Sequence, residues 1–220
     1  PYSIYEDIYK LQPGHNLTID LTNNNSIQIE EYWNLKNVER SKLSYSEALD
    51  KTHDLLVDAV KIRLNSDVPI GTFLSGGIDS ALVTSIASNL SNKKVKSFVI
   101  GFEDPNYDES KTAEKFANII GSDHTEIICK ADDILEMIPK FIDTYDEPFG
   151  DSSALPSLLL NKVTKPHVTV ALSGDGGDES FLGYNHFDWV YKFNMISFVP
   201  FFIRKLLSKL LPHSIPKNRR

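Results

Sequence analysis

The chain has 220 residues, 41% of them hydrophobic, which is enough apolar material for one sizeable core with a small appendage. Its formal net charge of −7, with no long basic stripe, argues against a nucleic-acid-binding surface. A single cysteine, Cys129, rules out an intrachain disulfide framework and suits a reducing, cytoplasmic compartment. Taken in chain order, residues 16–21 and 27–32 alternate around Asn23-Asn24-Asn25, a turn signal, and predict an antiparallel hairpin. Ser44-Tyr45-Ser46-Glu47 has the form of a capping box and opens a helix through about Leu64. Strand 68–74, helix 79–90, strand 95–102, helix 108–120, strand 124–129, helices 132–145 and 153–164, and strand 167–172 complete the run. Strands separated by helices predict an α/β fold with a parallel sheet. Cys129 closes the apolar run 125–129, so it reads as a buried strand residue rather than a nucleophile. The apolar tail 193–203 is broken by Pro200 and followed by Arg204, Lys205 and Lys209, so no membrane span is expected; a core-packing or docking helix pair is the better reading. The histidines are scattered and offer no zinc set.

Two segments carry chemistry. In the first, the apolar strand at Val68–Leu74 runs into Ser75-Gly76-Gly77 and directly into a helix. The glycines allow unusual backbone angles and close approach of a ligand to main-chain N–H groups, while the helix N-terminus favours an anion. Asp79 and Ser80 fall in the first helical turn; an acid beside a polyphosphate is repulsive unless a divalent cation lies between them, so magnesium is implied with the phosphate. No lysine follows the glycines, which excludes a Walker A loop. In the second, His167–Leu172 empties into Ser173-Gly174-Asp175-Gly176-Gly177-Asp178-Glu179, again strand, Gly-rich loop and helix. Its carboxylates become useful beside phosphate only as metal ligands. Each motif alone could be an ordinary turn. Together, at the C-terminal ends of two strands of one parallel sheet, they point to a common crevice.

SGGIDS resembles the PP-loop of the ATP pyrophosphatase superfamily, in which a nucleophile attacks the α-phosphorus of ATP and pyrophosphate leaves. SGGIDS, SFVIGF at 97–102, DEPFGDSSALP at 146–156 and VALSGDGGDE at 170–179 followed by Gly183-Tyr184-Asn185 together resemble the synthetase domain of glutamine-hydrolysing asparagine synthetase. The opening segment, Ile8 to His15 and on to Glu31-Tyr32-Trp33, is similar to the stretch joining that family's glutaminase and synthetase domains. The resemblance implies residues 1–40 as a connecting hairpin and 41–220 as an ATP-binding domain of adenine nucleotide α-hydrolase-like fold. It further implies that Leu74, Ser75, Gly76, Gly77, Asp79, Ser80, Ile100, Ser173 and Gly174 contact the nucleotide, that Asp79 and Asp178 bind magnesium, and that Asp175 positions ammonia or handles its proton. For Leu74 and Ile100, strand core is an equally open reading. Of the segment 146–156, the acids Asp146, Glu147 and Asp151 either approach the amino-acid substrate or serve as helix caps.

ATP, aspartate and ammonia from a glutaminase domain are the implied partners, with a homodimer as a candidate assembly and no nucleic acid or membrane. Departures from the pattern are that no glutaminase domain precedes Pro1, that the family's downstream lysine has no counterpart before Arg220, and that Leu182 stands where a second glycine is usual. The chain is therefore expected to be a piece of a longer enzyme and inactive by itself. A related amidotransferase or β-lactam-synthetase-like enzyme with another carboxylate substrate, or an inactive nucleotide-binding remnant, would carry the same motifs.

Overall fold

The computed structural model describes residues 2–22, 26–198 and 200–210. Two compact units divide at Ser173 and Gly174. The first begins with an antiparallel pair, β1 (His15–Asp20) and β2 (Ser26–Glu31), in the register His15↔Glu31 to Asp20↔Ser26. The Asn23-Asn24-Asn25 turn expected between them lies outside the described residues. Helix α1 (Tyr45–Leu64) starts with the expected capping box, the Ser44 side chain accepting from the Glu47 amide and the Glu47 carboxylate accepting from the Ser44 amide. The Ser44 hydroxyl also donates to the Glu47 carboxylate at 2.6 Å, and this bond first, with that from the Ser44 amide, holds the Glu47 carboxyl below its ordinary range.

Four parallel strands follow: β3 (Ile70–Phe73), β4 (Lys96–Phe102), β5 (Asp123–Cys129) and β6 (Val170–Leu172). They lie in the order β5-β4-β3-β6. The connections are α2 (Ile78–Leu90) between β3 and β4, α3 (Ser110–Ile120) between β4 and β5, and α4 (Ala131–Thr144) with α5 (Ala154–Thr164) before β6. Side chains alternate along a strand, so neighbours in β4 serve opposite faces. Val99 packs with Leu74, Ala113 and Ala117 under α2 and α3, while Ile100 packs with Cys129, Met137 and Leu159 under α4 and α5. Beside the former, Val60, Ile86, Ala87, Val95 and Leu172 bind α1 and α2 to the sheet. The sheet is thus sandwiched between helices, as the alternation of strands and helices predicts. Cys129 is buried, and burial pushes its thiol up, away from the range of a nucleophile.

The second unit holds α6 (Gly177–Phe181), α7 (Asn185–Ser197) and α8 (Phe201–Leu210). Trp189, Tyr191, Phe193, Phe198, Phe201 and Phe202 are all exposed, so the tail is a helix pair but not the core-packing one. No described helix is long and apolar enough to cross a membrane.

Candidate nucleotide site

Chain order places the site. The path runs outward from β3 to β4 to β5 and then returns to the other flank of β3 as β6, so the order reverses between β3 and β6. In open parallel sheets the crevice for a ligand lies outside the carboxyl ends of the strands at such a reversal. Pairing of Thr72 with Leu172 brings the loop that follows β3 and Ser173, which follows β6, out side by side at that edge. Of the two motifs expected at one crevice, this pairing brings together the start of the SGGIDS loop and Ser173.

The loop after β3 is held by its own hydroxyls. The Ser75 amide donates to Ser80 Oγ at 3.1 Å, the Ser75 and Ser80 hydroxyls lie 2.8 Å apart, and the Gly77 amide donates to Ser75 Oγ at 3.1 Å. The Ser80 hydroxyl also donates to the Gly77 carbonyl at 3.1 Å. Gly76 turns outward instead, and its amide donates to Glu109 Oε2 at 3.1 Å. Gly77 is the N-cap of α2 and supplies no side-chain acceptor, so the first-turn amides keep the positive end of the helix dipole uncovered. The geometry suits an anion. Asp79 is half-buried in that first turn and makes no hydrogen bond or ion pair among the described residues. An unpaired carboxylate beside an anion cradle suits a divalent cation. Among the described residues no three His, Cys, Asp or Glu side chains gather into a metal cage.

Leu74 is fully buried in the core and its amide donates to the Phe98 carbonyl at 2.9 Å, so any part it plays toward a ligand is through its backbone. Ile100 is half-buried against the cluster around Cys129, two positions beyond Phe98, the residue paired with the end of β3.

Gly174 and the acids after it belong to the second unit, where the backbone is tightly folded. Gly176 has φ +90° and Leu182, the C-cap of α6, has φ +58°. A side chain at Gly183 would run into the Asp178 carboxylate, so glycine is required there to seat that acid. Tyr184 donates to Glu179 Oε1 at 2.7 Å and, as the largest cause, holds the Glu179 carboxyl below its ordinary range. Asp175 is exposed and Asp178 half-buried.

Two acids of 146–156, Glu147 and Asp151, have their carboxylates engaged elsewhere. Glu147 pairs with Lys10 and accepts from the Ile4 amide at 3.2 Å, while Tyr5 donates to the Asp146 carbonyl at 3.2 Å. Asp151 accepts from the amide and the hydroxyl of Ser153 at 2.8 Å each, just before α5; these bonds hold its carboxyl low, the amide first. Asp151 closes a turn ahead of Ser153, the N-cap of α5, which itself has no side-chain cap bond, and Glu147 ties the N-terminal segment down.

The asparagine synthase family model matches residues 51–218, nearly all of this ground. The chain belongs to the asparagine synthase family. It is 39% identical over 211 residues to a Methanocaldococcus jannaschii protein provisionally named glutamine-hydrolysing asparagine synthetase 2, covering 96% of this chain and 40% of that one. It is 31% identical over 209 residues to glutamine-hydrolysing asparagine synthetase 1 of Bacillus subtilis, covering 94% of this chain and 32% of the relative. The chain thus spans well under half the length of these curated relatives. Among solved structures it resembles a glutamine-dependent NAD+ synthetase of Acinetobacter baumannii, 20% identical, with a TM-score of 0.46 over 73% of this chain and 32% of that one.

Within this family member two residues at the site escaped the sequence reading. Asp108 accepts from the amides of Ser110 at 3.1 Å and Phe102 at 3.3 Å, fastening the exit of β4 to the start of α3; these bonds lower its carboxyl, the Ser110 amide first. Glu109 then reaches across to Gly76. The signal was a pair of acids immediately before the helix that follows the strand next to β3, a position facing the same crevice edge.

Proposed function

We propose that this chain is the ATP-using synthetase domain of an enzyme that converts aspartate to asparagine. In this reading the side-chain carboxylate of aspartate attacks the α-phosphorus of ATP, the bond to the β-phosphate oxygen breaks, and pyrophosphate leaves. Ammonia then attacks the acyl carbon of the adenylate, AMP departs, and the nitrogen gives up a proton. The observation that carries the reading is the uncapped N-terminus of α2 at the β3–β6 reversal, with Ser173 emerging beside it, in a chain of the asparagine synthase family.

Ser75, Gly76, Gly77 and Ser80 wrap the β- and γ-phosphates, and the amides of the first α2 turn face their charge. Leu74 and Ile100 offer backbone contact to the nucleoside, and Ser173 with Gly174 lies toward the α-phosphate. Asp79 and Asp178 are the carboxylates offered to magnesium, which when bound would offset the charge of the departing pyrophosphate. Asp175 positions ammonia or takes its proton. Residues 1–40 form the connecting segment and 41–220 the synthetase domain in the same proposal, with ammonia drawn from a glutaminase domain and the reaction set in the cytoplasm.

Calorimetric titration of the chain with ATP, with magnesium and then with chelator, tests this. Magnesium-dependent binding that weakens in Asp79→Asn and in Asp178→Asn is expected; binding of equal strength without metal counts against the reading.

A further inference from the structure

Of the amides in the turn that follows β3, those of Ser75 and Gly77 bond to hydroxyls of the loop itself, whereas Gly76 donates to a carboxylate from another element, Glu109 Oε2 at 3.1 Å. Glu109 is the N-cap residue of α3, yet its side chain makes no capping bond to its own helix. Its position is fixed from both sides. Asp108, immediately before it, bonds the Phe102 and Ser110 amides, and Ser110, immediately after, is 1% exposed. The approach is also close: a side chain at Gly76 would begin 3.1 Å from Glu109 Cβ and 3.2 Å from Thr112 Cβ. A side chain there would press on Glu109 and Thr112, which would have to give by a few tenths of an ångström. An anion already sits on an N–H that the phosphate loop would present to its ligand.

A carboxylate and a phosphate oxygen cannot share one N–H: the amide has a single proton to donate, and two anions at that distance repel even where, as at Glu109, the side chain is exposed. We propose that Glu109 is an internal competitor for the phosphate site: its carboxylate occupies the Gly76 amide in the free protein and must be displaced by a polyphosphate. This rests on the nucleotide reading given above. The occupant keeps the Gly76 amide pointed outward before a ligand arrives. It also makes binding lean on a divalent cation, since a cation offsets the repulsion between the two anions.

The test titrates the chain with inorganic pyrophosphate at fixed ionic strength, in chelator and again with magnesium, for the wild type, Glu109→Gln and, as a control for net charge, Glu136→Gln on the opposite face of the sheet. Glu109→Gln keeps the size and an acceptor oxygen while removing the charge, so the contact falls from a charge-assisted hydrogen bond to a neutral one. Pyrophosphate affinity in chelator should rise roughly five- to tenfold in Glu109→Gln and hardly at all in Glu136→Gln. With magnesium the gain should shrink. The 15N–1H resonance of Gly76 provides a second reading: it should move on Glu109→Gln without ligand, and in the wild type on adding pyrophosphate. If the wild type binds pyrophosphate and Glu109→Gln binds it equally or more weakly, Glu109 props the loop and the proposal fails while the nucleotide reading stands. If neither protein binds pyrophosphate, both fail.

Discussion

Replacing Ser80 by alanine removes the hydroxyl on which the whole turn after β3 closes. Ser80 is 7% exposed, and its Oγ accepts from the Ser75 amide at 3.1 Å and bonds the Ser75 hydroxyl at 2.8 Å. In Ser80→Ala the half-buried Ser75 amide loses its acceptor, which costs about 1–3 kcal/mol, and the hydroxyl pair contributes about 0.5–1.5 kcal/mol more. Because water enters the half-buried side of the loop, the expected net loss is about 2 kcal/mol, or ~4–8 °C in thermal midpoint for a domain of this size. The bond from Thr84 Oγ1 to the Ser80 carbonyl at 2.8 Å survives, so α2 itself should persist and the circular dichroism of the folded state should not change. Ser75→Ala removes the other half of the same network, including the acceptor of the Gly77 amide. The double variant should therefore lose less than the sum of the single ones, by about 0.5 kcal/mol or more. Equilibrium urea unfolding with thermal melts measures all three. A loss in Ser80→Ala below about 0.5 kcal/mol, with strictly additive effects, would mean that water rather than the hydroxyl pair satisfies the loop.

Leu182, 67% exposed, sits at φ +58°, where a non-glycine residue pays about 1 kcal/mol; Leu182→Gly should stabilise by about 0.5 kcal/mol after the added freedom of the unfolded chain is deducted, and a destabilised variant would contradict the strain. His124 bonds Ser97 Oγ through Nδ1 at 2.8 Å, its Nε2 is buried without a partner, and burial lowers its affinity for a proton, partly offset by Glu126 and Glu114. With its folded value below the ordinary 6.5, the unfolded chain takes up the proton first, so stability present above that pH should fall as the pH drops below it. The lowered carboxylates act only at more acidic pH, so His124→Asn should flatten the stability profile between about pH 6.5 and 5, and an unchanged slope would remove His124 as its cause. Asp175→Ala should leave magnesium-dependent ATP affinity nearly intact while lowering ammonia-dependent amide formation by ~10²–10⁴-fold, and wild-type turnover at saturation would falsify its catalytic role.

The strands and helices were legible because their signals are local: Ser44 and Glu47 cap α1 as their spacing predicts, and SGGIDS marks the β3–α2 turn by its glycines. β6 is shorter than the apolar run 167–172 because the amides of His167 and Val168 bond the Thr164 carbonyl at 2.9 and 3.0 Å and so finish the turn of α5. Leu182 was visible as a departure from a usual glycine, but only its backbone angle gives the departure a consequence. Glu109 and Glu147 were not legible as partners of Gly76 and Lys10, since each contact joins residues far apart in the chain. For the tail, core packing and docking both stayed open because apolar composition alone does not say what covers it, and the exposed aromatics remove only the first.

The central claim, that ATP is cleaved at its α-phosphorus to activate a carboxylate, is tested most directly by chromatography of nucleotide products. The chain, or any longer form of the protein that carries it, is supplied with ATP, magnesium, aspartate and ammonium. AMP and pyrophosphate, formed in step with asparagine and dependent on aspartate, are predicted; ADP and inorganic phosphate would contradict the account.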